Sequence, residues 1–271
     1  MAPDPNRTKR WSPGLCLIRG GGDLATGVAW RLSRAGWPVV VTELKNPLTV
    51  RRAVAVSSAV DAGVVDIEGM VARRADTAPD AVALAHAGVI AVFVSPELPD
   101  VDADVVIDAR LAKRNIDTQL SDASLVVGLG PGFTAPVDCH AVVETQRGHR
   151  LGRVIWHGAA AANTGVPGIV GGRGSERVLR APRSGVAAWS VVIGDRVDEN
   201  QTLGAVGGVE IEAPFAGVVR GLIADGIAVN EGLKVGDIDP RCEPSACAEI
   251  SDKALAIGGG VVEAVLTWSN Q

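Results

Sequence analysis

Tyrosine is absent from this 271-residue chain, and only three Phe accompany its six Trp. So few rings supply little on which single-stranded bases could stack. An excess of basic residues is missing as well. Lys and Arg total 26 against 31 Asp and Glu, a formal net charge of −5, which excludes the broad basic face that non-specific nucleic-acid binding requires. Cysteine is sparse: Cys16, Cys139, Cys242 and Cys247 form no CxxC pair, whereas a secreted disulfide scaffold would carry them densely. Cys242 and Cys247 supply two ligands with no nearby His, so no metal site is expected. No apolar run reaches the roughly 18 residues of a membrane helix, and residues 1–13 lack the apolar core of a signal peptide. The expectation is a cytoplasmic protein with neither a nucleic acid nor a membrane as partner. Neither a GxSxG elbow nor a GxxxxGK[ST] loop is present.

What the chain does have is apolar mass and glycine. Hydrophobic residues make up 47%, enough for a sizeable core. Gly numbers 33 where average usage gives about 19, so many tight turns or close backbone approaches are needed. The first half alternates strand-like runs (Leu15–Arg19, Val39–Glu43, Val54–Val56, Val89–Val94, Val105–Asp108, Leu125–Leu129) with helix-like ones (Ala25–Ala35, and Asp80–Ala87 capped by Thr77 or Asp80). Such alternation implies crossovers and a mostly parallel sheet.

From about residue 176 short Val-rich runs separated by Gly and Asp suggest a small all-β unit. Within it Ala181, Pro182, Gly185, Val186, Gly194, Val197, Glu199 and Gly204 recur, shifted by 32, as Ala213, Pro214, Gly217, Val218, Gly226, Val229, Glu231 and Gly236. Two copies are too few for a solenoid. They fit two halves clasped into one barrel, in a pattern resembling lipoyl- and biotinyl-type domains. The joint Gly204–Glu210 carries no Lys, so a swinging arm is not expected. The fold class read here is α/β: a Rossmann-like parallel-sheet domain plus a small lipoyl/biotinyl-like β-barrel, a barrel-sandwich hybrid. The divisions are a disordered tail 1–12, a nucleotide-binding domain 13–135, a connecting segment with a polar site motif 136–175, the two-repeat barrel 176–238, and a C-terminal segment and helix 239–271.

After the first strand, Gly20-Gly21-Gly22-Asp23-Leu24-Ala25-Thr26-Gly27 satisfies GxGxxA. The spacing permits a tight turn, close approach of backbone to a pyrophosphate, and close helix–strand packing. Glu43 closes the second strand, where an acid can accept from a ribose hydroxyl. Arg51 and Arg52 read either as phosphate contacts or as a solvated pair. In Glu144–Arg153, Glu144 and His149 could serve as acid and base while Arg147 and Arg153 clamp an anion; the other reading is a polar hairpin turn in water. His86, His140 and His157 read as structural or exposed. Residues 254–266 look helical but contain Gly258-Gly259-Gly260, a cost of about 2–3 kcal/mol against Ala. The run therefore breaks there or packs tightly on another backbone.

RGGGDLATG, ETQRGHRLGRVI, ANTGVPG, the APxxG repeat, DIDPR and SDKALAIGGGVVEAVL together resemble the selenium-dependent molybdenum hydroxylase system protein family, related to xanthine dehydrogenase accessory factors. The resemblance runs in order from about Leu15 to Leu266. It implies an accessory role in maturing molybdenum hydroxylases, with binding and modification or insertion of a molybdenum cofactor, and it lacks the iron–sulfur Cys spacing of a hydroxylase subunit. The matched positions include Gly20–Asp23, Thr26, Gly27, Glu144, Thr145, Arg147, His149, Asn163, Thr164, Asp239, Arg241, Asp252 and Lys253. The cofactor expected is molybdopterin or its dinucleotide, or else NAD(P). Expected partners are hydroxylase subunits and a small anionic cofactor, with homo-oligomerisation left open. Two rivals are an NAD(P)-dependent oxidoreductase and a non-catalytic module that docks a hydroxylase subunit.

Overall fold

The computed structural model describes residues 14–165 and 168–270, so the expected tail at 1–12 lies outside the described residues. In chain order the N-terminal elements are β1 (Cys16–Arg19), α1 (Asp23–Arg34), β2 (Val39–Glu43), α2 (Ala59–Ala62), β3 (Val64–Ile67), β4 (Met70–Ala75), α3 (Ala78–His86), β5 (Ile90–Val94), β6 (Val105–Asp108) and β7 (Leu125–Leu129). Then follow the short strands β8 (Thr134–Ala135), β9 (Ala141–Val143), β10 (Val154–Ile155) and β11 (Gly158–Ala159). One nine-stranded sheet runs β10-β9-β7-β6-β1-β2-β5-β4-β3. It is parallel from β9 to β4, and only its edge pairs β10–β9 and β3–β4 are antiparallel.

Alternation along the strands explains its two covered faces. Cys16 and Ile18 of β1, with Val39 and Val41 of β2, enter the core beneath α1. Leu17 and Val40 face the other way, toward Val106 and Phe133 and toward Ala81 of α3 respectively. A strand buried on both faces reads as a continuous apolar run. Val54–Val56, expected as a strand, forms parts of two 3-10 turns, Arg52–Val54 and Val56–Ser58. Val54 and Ala55 N–H donate within the turns, to the Arg51 and Arg52 carbonyls, while Val56 N–H donates to Thr26 Oγ1 (3.0 Å) and the next amide, Ser57, to the Gly21 carbonyl (2.9 Å) of the glycine loop.

The second half contains β12 (Val178–Arg180), β13 (Gly185–Trp189), β14 (Arg196–Val197), β15 (Thr202–Val206), β16 (Val209–Glu212), β17 (Gly217–Leu222), β18 (Ala228–Val229) and β19 (Lys234–Asp239). They form two four-stranded antiparallel sheets, β12-β19-β17-β14 and β16-β15-β13-β18. Shifting the sequence by 32 residues carries β12 to β16, β13 to β17, β14 to β18 and β15 to β19. Each sheet therefore takes strands from both repeat copies. Apolar side chains of both copies, Leu179, Val197 and Leu203 with Ile211, Val219, Val229 and Val235, meet in one core.

The chain ends in α4 (Asp252–Ser269), which packs on α1 against the N-terminal sheet. Its three glycines do not break it. A Cβ on Gly258 would collide with the Gly27 carbonyl of α1, and one on Gly260 with the Gly152 carbonyl. Among the described residues no helix is long and apolar enough to cross a membrane.

Candidate functional site

The glycine loop leaves β1 with Gly20 at φ +91°, a left-handed conformation in which any Cβ would press on the Ala109–Arg110 backbone at 3.2–3.3 Å. The Gly21 N–H donates to Glu43 Oε2 at 2.8 Å, while Oε1 accepts from Leu44 N–H at 2.7 Å. Glu43 thus holds the loop in place. Thr26 Oγ1 is also committed, donating to the Gly22 carbonyl and accepting from Val56 N–H, each at 3.0 Å.

Strand order reverses between β1 and β6, the place where open α/β sheets bind ligands. An ionic knot fills it. Arg19, 3% exposed at the end of β1, pairs with Asp117 at 2.8 Å. Arg110 bonds both Asp108 and Asp117, and the Thr118 hydroxyl donates to Asp108 at 2.7 Å. Hydrogen bonds from Arg19 above all, and from Arg110, lower the Asp117 carboxyl to about 2. A carboxyl depressed in the folded state stabilises the fold above its unfolded pKa, and that contribution is lost as pH falls through the folded value. Stability should therefore decline between about pH 4 and pH 2. An Asp117→Asn protein should show a flatter acid limb in denaturant titrations over that window; an unchanged slope would remove the knot from the account.

Beside the knot, the carboxyl ends of the parallel strands open on a cleft of about 720 Å³ that the β-unit closes from the other side. Such a volume suits a small organic molecule. The N-termini of two long helices meet there: Gly22, Asp23 and Leu24 of α1, and Ser251 and Lys253 of α4. Ser251 caps α4 by accepting from Ala254 N–H, whereas Gly22 gives α1 no side-chain cap. Arg51, Arg147, Arg177, Arg220 and Lys234 also line the cleft, against Asp23, Glu144 and Asp237. Arg51, 7% exposed, donates through Nη2 to the carbonyls of Ala246 and Glu249, but among the described residues its Nε and Nη1 have no hydrogen-bond partner. The nearest acid is Asp23, at 3.6 Å from Nη1. Arg220 Nε is likewise covered and has no hydrogen bond among the described residues, its ion pair with Asp239 spanning 3.7 Å. Burial first, and then Arg51, push the Arg220 guanidinium below its usual value.

The polar 144–153 turn reaches this cleft at its first half only. Glu144 is buried, its oxygens accepting from the amides of Gln146 (2.8 Å) and Ala161 (2.7 Å), so it ties the turn to the 161–164 wall. Arg147 grips Asp252 with two bonds, 2.7 and 3.0 Å, and holds that carboxyl near 2. His149 and Arg153, expected with Glu144 and Arg147 to supply acid–base and anion-clamping groups, are exposed and do not line the cleft. Of the other expected residues, Gly22, Asp23, Arg51, Arg147, Asn163 and Thr164 line the cleft. Gly20, Gly21, Thr26 and Glu43 build the loop, and Gly27 packs on α4. Arg52 turns to the β-unit, donating to the Leu222 carbonyl at 2.7 Å. Sequence reasoning missed Arg177, Arg220, Lys234 and Asp237. The signal available for Arg220 was a lone cation inside the apolar run GVVRGL. Smaller hollows of about 310 and 380 Å³ lie at the amino ends of β2 and β5 and beside α3, and neither gathers buried cations.

These features define a mixed α/β protein with a large, mainly parallel sheet and a cation-rich cleft between that sheet and a β-unit. The chain belongs to the family of the Uncharacterized protein YqeB of Escherichia coli (strain K12), with which it is 47% identical over 260 residues, 95% of its own length. It spans about half of that relative, 48%. No family model matches the chain. Among solved structures it is similar to an aspartoacylase family protein from Mesorhizobium loti and a succinylglutamate desuccinylase/aspartoacylase from Rhodobacter sphaeroides. Each is 15% identical at a TM-score of 0.26, over 83% and 84% of this chain and 85% of theirs. Likeness that faint carries no argument about fold or chemistry. None of these is described as a molybdenum hydroxylase accessory protein. The expected membership of the selenium-dependent molybdenum hydroxylase family is corrected accordingly, and so are the maturation role and its two rivals.

Proposed function

We propose that the cleft binds a small molecule through a phosphate or similar oxyanion seated at the adjoining N-termini of α1 and α4. The observation behind this reading is that both helices direct their amino ends at one cleft that also holds Arg51 and Lys253. Each helix end carries roughly half a positive charge, and the uncapped first turn of α1 leaves amides to donate. Arg51 adds a covered cation that Asp23 offsets only from 3.6 Å. Molybdopterin, its dinucleotide and NAD(P) each carry a phosphate of this kind, and a seat that grips only the phosphate does not select among them. The two symmetric sheets of the β-unit we read as a lipoyl/biotinyl-type barrel-sandwich, which supplies the cleft's second wall. Four unpaired thiols suit a cytoplasmic setting.

Calorimetric titration with inorganic phosphate and pyrophosphate tests the reading. Pyrophosphate should bind, with affinity falling as salt rises, and Lys253→Ala should weaken it about tenfold, the loss of one charge-assisted contact. Absence of binding at millimolar anion, or equal binding by the Lys253→Ala protein, would sink it.

A further inference from the structure

Lys253 stands apart from the other cations of the cleft. It is the second residue of α4, half-buried, and among the described residues its ammonium has neither a hydrogen bond nor an ion pair. Lys234, on the opposite wall, is paired with Asp237 at 3.7 Å, and Arg147 is held by Asp252. The groups facing Lys253 are Asp23 of α1, Glu144 and Arg147 of the polar turn, and its neighbour Asp252. Glu144 and Asp252 are already engaged, the first by two amides and the second by Arg147. Burial is the main cause that lowers the Lys253 ammonium, Arg147 adds to it, and Asp23, Glu144 and Asp252 oppose it. A desolvated lysine beside other positive charge keeps more of its amine neutral and nucleophilic.

We propose that Lys253 condenses with the carbonyl carbon of a phosphate-bearing aldehyde or ketone and holds it as an imine in the cleft. The inference rests on the anion-binding reading, which supplies the seat for the phosphate. The amine lone pair forms the C–N bond while the carbonyl π pair moves to oxygen, which takes a proton. Nitrogen releases a proton to water, and the carbinolamine expels water to leave the C=N bond. No oxidant or reductant enters. The N-terminus of α4 suits the step, because it favours a neutral amine before reaction and holds the phosphate afterwards.

Pyridoxal 5′-phosphate followed by borohydride reduction and peptide mapping tests this in the full chain. Label should accumulate at Lys253 about tenfold faster than at exposed Lys45 and Lys113 or ion-paired Lys234, as activated amines do. Pyrophosphate should suppress it, and pyridoxal without phosphate should label Lys253 no better than the other lysines. Lys253→Arg, which carries a charge but no primary amine, should lose the adduct. Pyrophosphate binding without preferential label at Lys253 overturns the imine and leaves the anion seat standing. Preferential label that pyrophosphate does not suppress, in a protein that binds no pyrophosphate, overturns the seat and with it the phosphate-bearing class of ligand. Absence of both overturns both.

Discussion

Replacing Gly258 with alanine should lower the stability of this protein, and the same change one residue later, at Gly259, should raise it. Intrinsic helix propensity favours alanine at both positions by about 1 kcal/mol. Packing separates them. At Gly258 the new methyl would collide with the Gly27 carbonyl and with Arg31 Cγ at 2.9 Å, whereas at Gly259 nothing lies within 4 Å. Overpacking of this kind costs about 1–3 kcal/mol, and more where backbone must move. Because the obstacle is a carbonyl of α1, relief requires the two helices to part. Gly27→Ala should act from the other side, since its methyl would meet the Ala254 backbone. For a chain of this size a loss of about 2 kcal/mol lowers Tm by about 5 °C, and the gain at Gly259 raises it by about 2 °C. Thermal or urea unfolding of the three single variants measures the signs directly. Equal shifts at Gly258 and Gly259 would mean that α1 and α4 do not touch where the structure places them.

That contact shows which parts of the molecule the sequence makes legible. β1, α1, β2, β6 and β7 follow from apolar runs and glycine punctuation, because a doubly covered parallel strand is apolar throughout and its turns need glycine. The repeat in the second half is equally plain, since strands exchanged between two sheets must keep the same spacing in both copies. Roles were harder than elements. Glu43 sits where a ribose-binding acid would sit, yet its carboxylate holds Gly21, and no local pattern separates those tasks. Arg220 and Arg177 come from the β-unit and meet Arg51 only through tertiary packing, so their shared cleft has no signature along the chain. Long motifs such as SDKALAIGGGVVEAVL and RGGGDLATG prove to encode a cap at Ser251 and the glycine contact between helices. A motif bound to packing travels with the fold and says little of the chemistry performed on it.

The seat for the anion can be separated from the fold that builds it by two substitutions at Gly22. Here φ is −68° and ψ −178°, extended backbone open to any residue, and an added Cβ would meet only Thr49 Oγ1 at 3.9 Å. Gly22→Val should therefore fold, at a cost of about 1 kcal/mol for a poorer N-cap. Its methyls would cover the first amides of α1, and pyrophosphate affinity should fall ten- to hundredfold, about 1–3 kcal/mol. Gly22→Asp discriminates further. An N-cap carboxylate accepts from the amides of the first turn and complements the helix dipole, so the protein should become more stable by a few tenths of a kcal/mol. The same carboxylate would occupy the proposed seat and repel what comes to it, so pyrophosphate binding should vanish while Tm rises. A ligand bound elsewhere in the cleft would be indifferent to Gly22→Val and weakened by Gly22→Asp only through distant charge, which salt screens. Calorimetry of both variants at low and physiological salt, beside their melting curves, distinguishes the cases. Full affinity in the Gly22→Val protein, or a salt-sensitive loss confined to Gly22→Asp, would move the anion away from the end of α1.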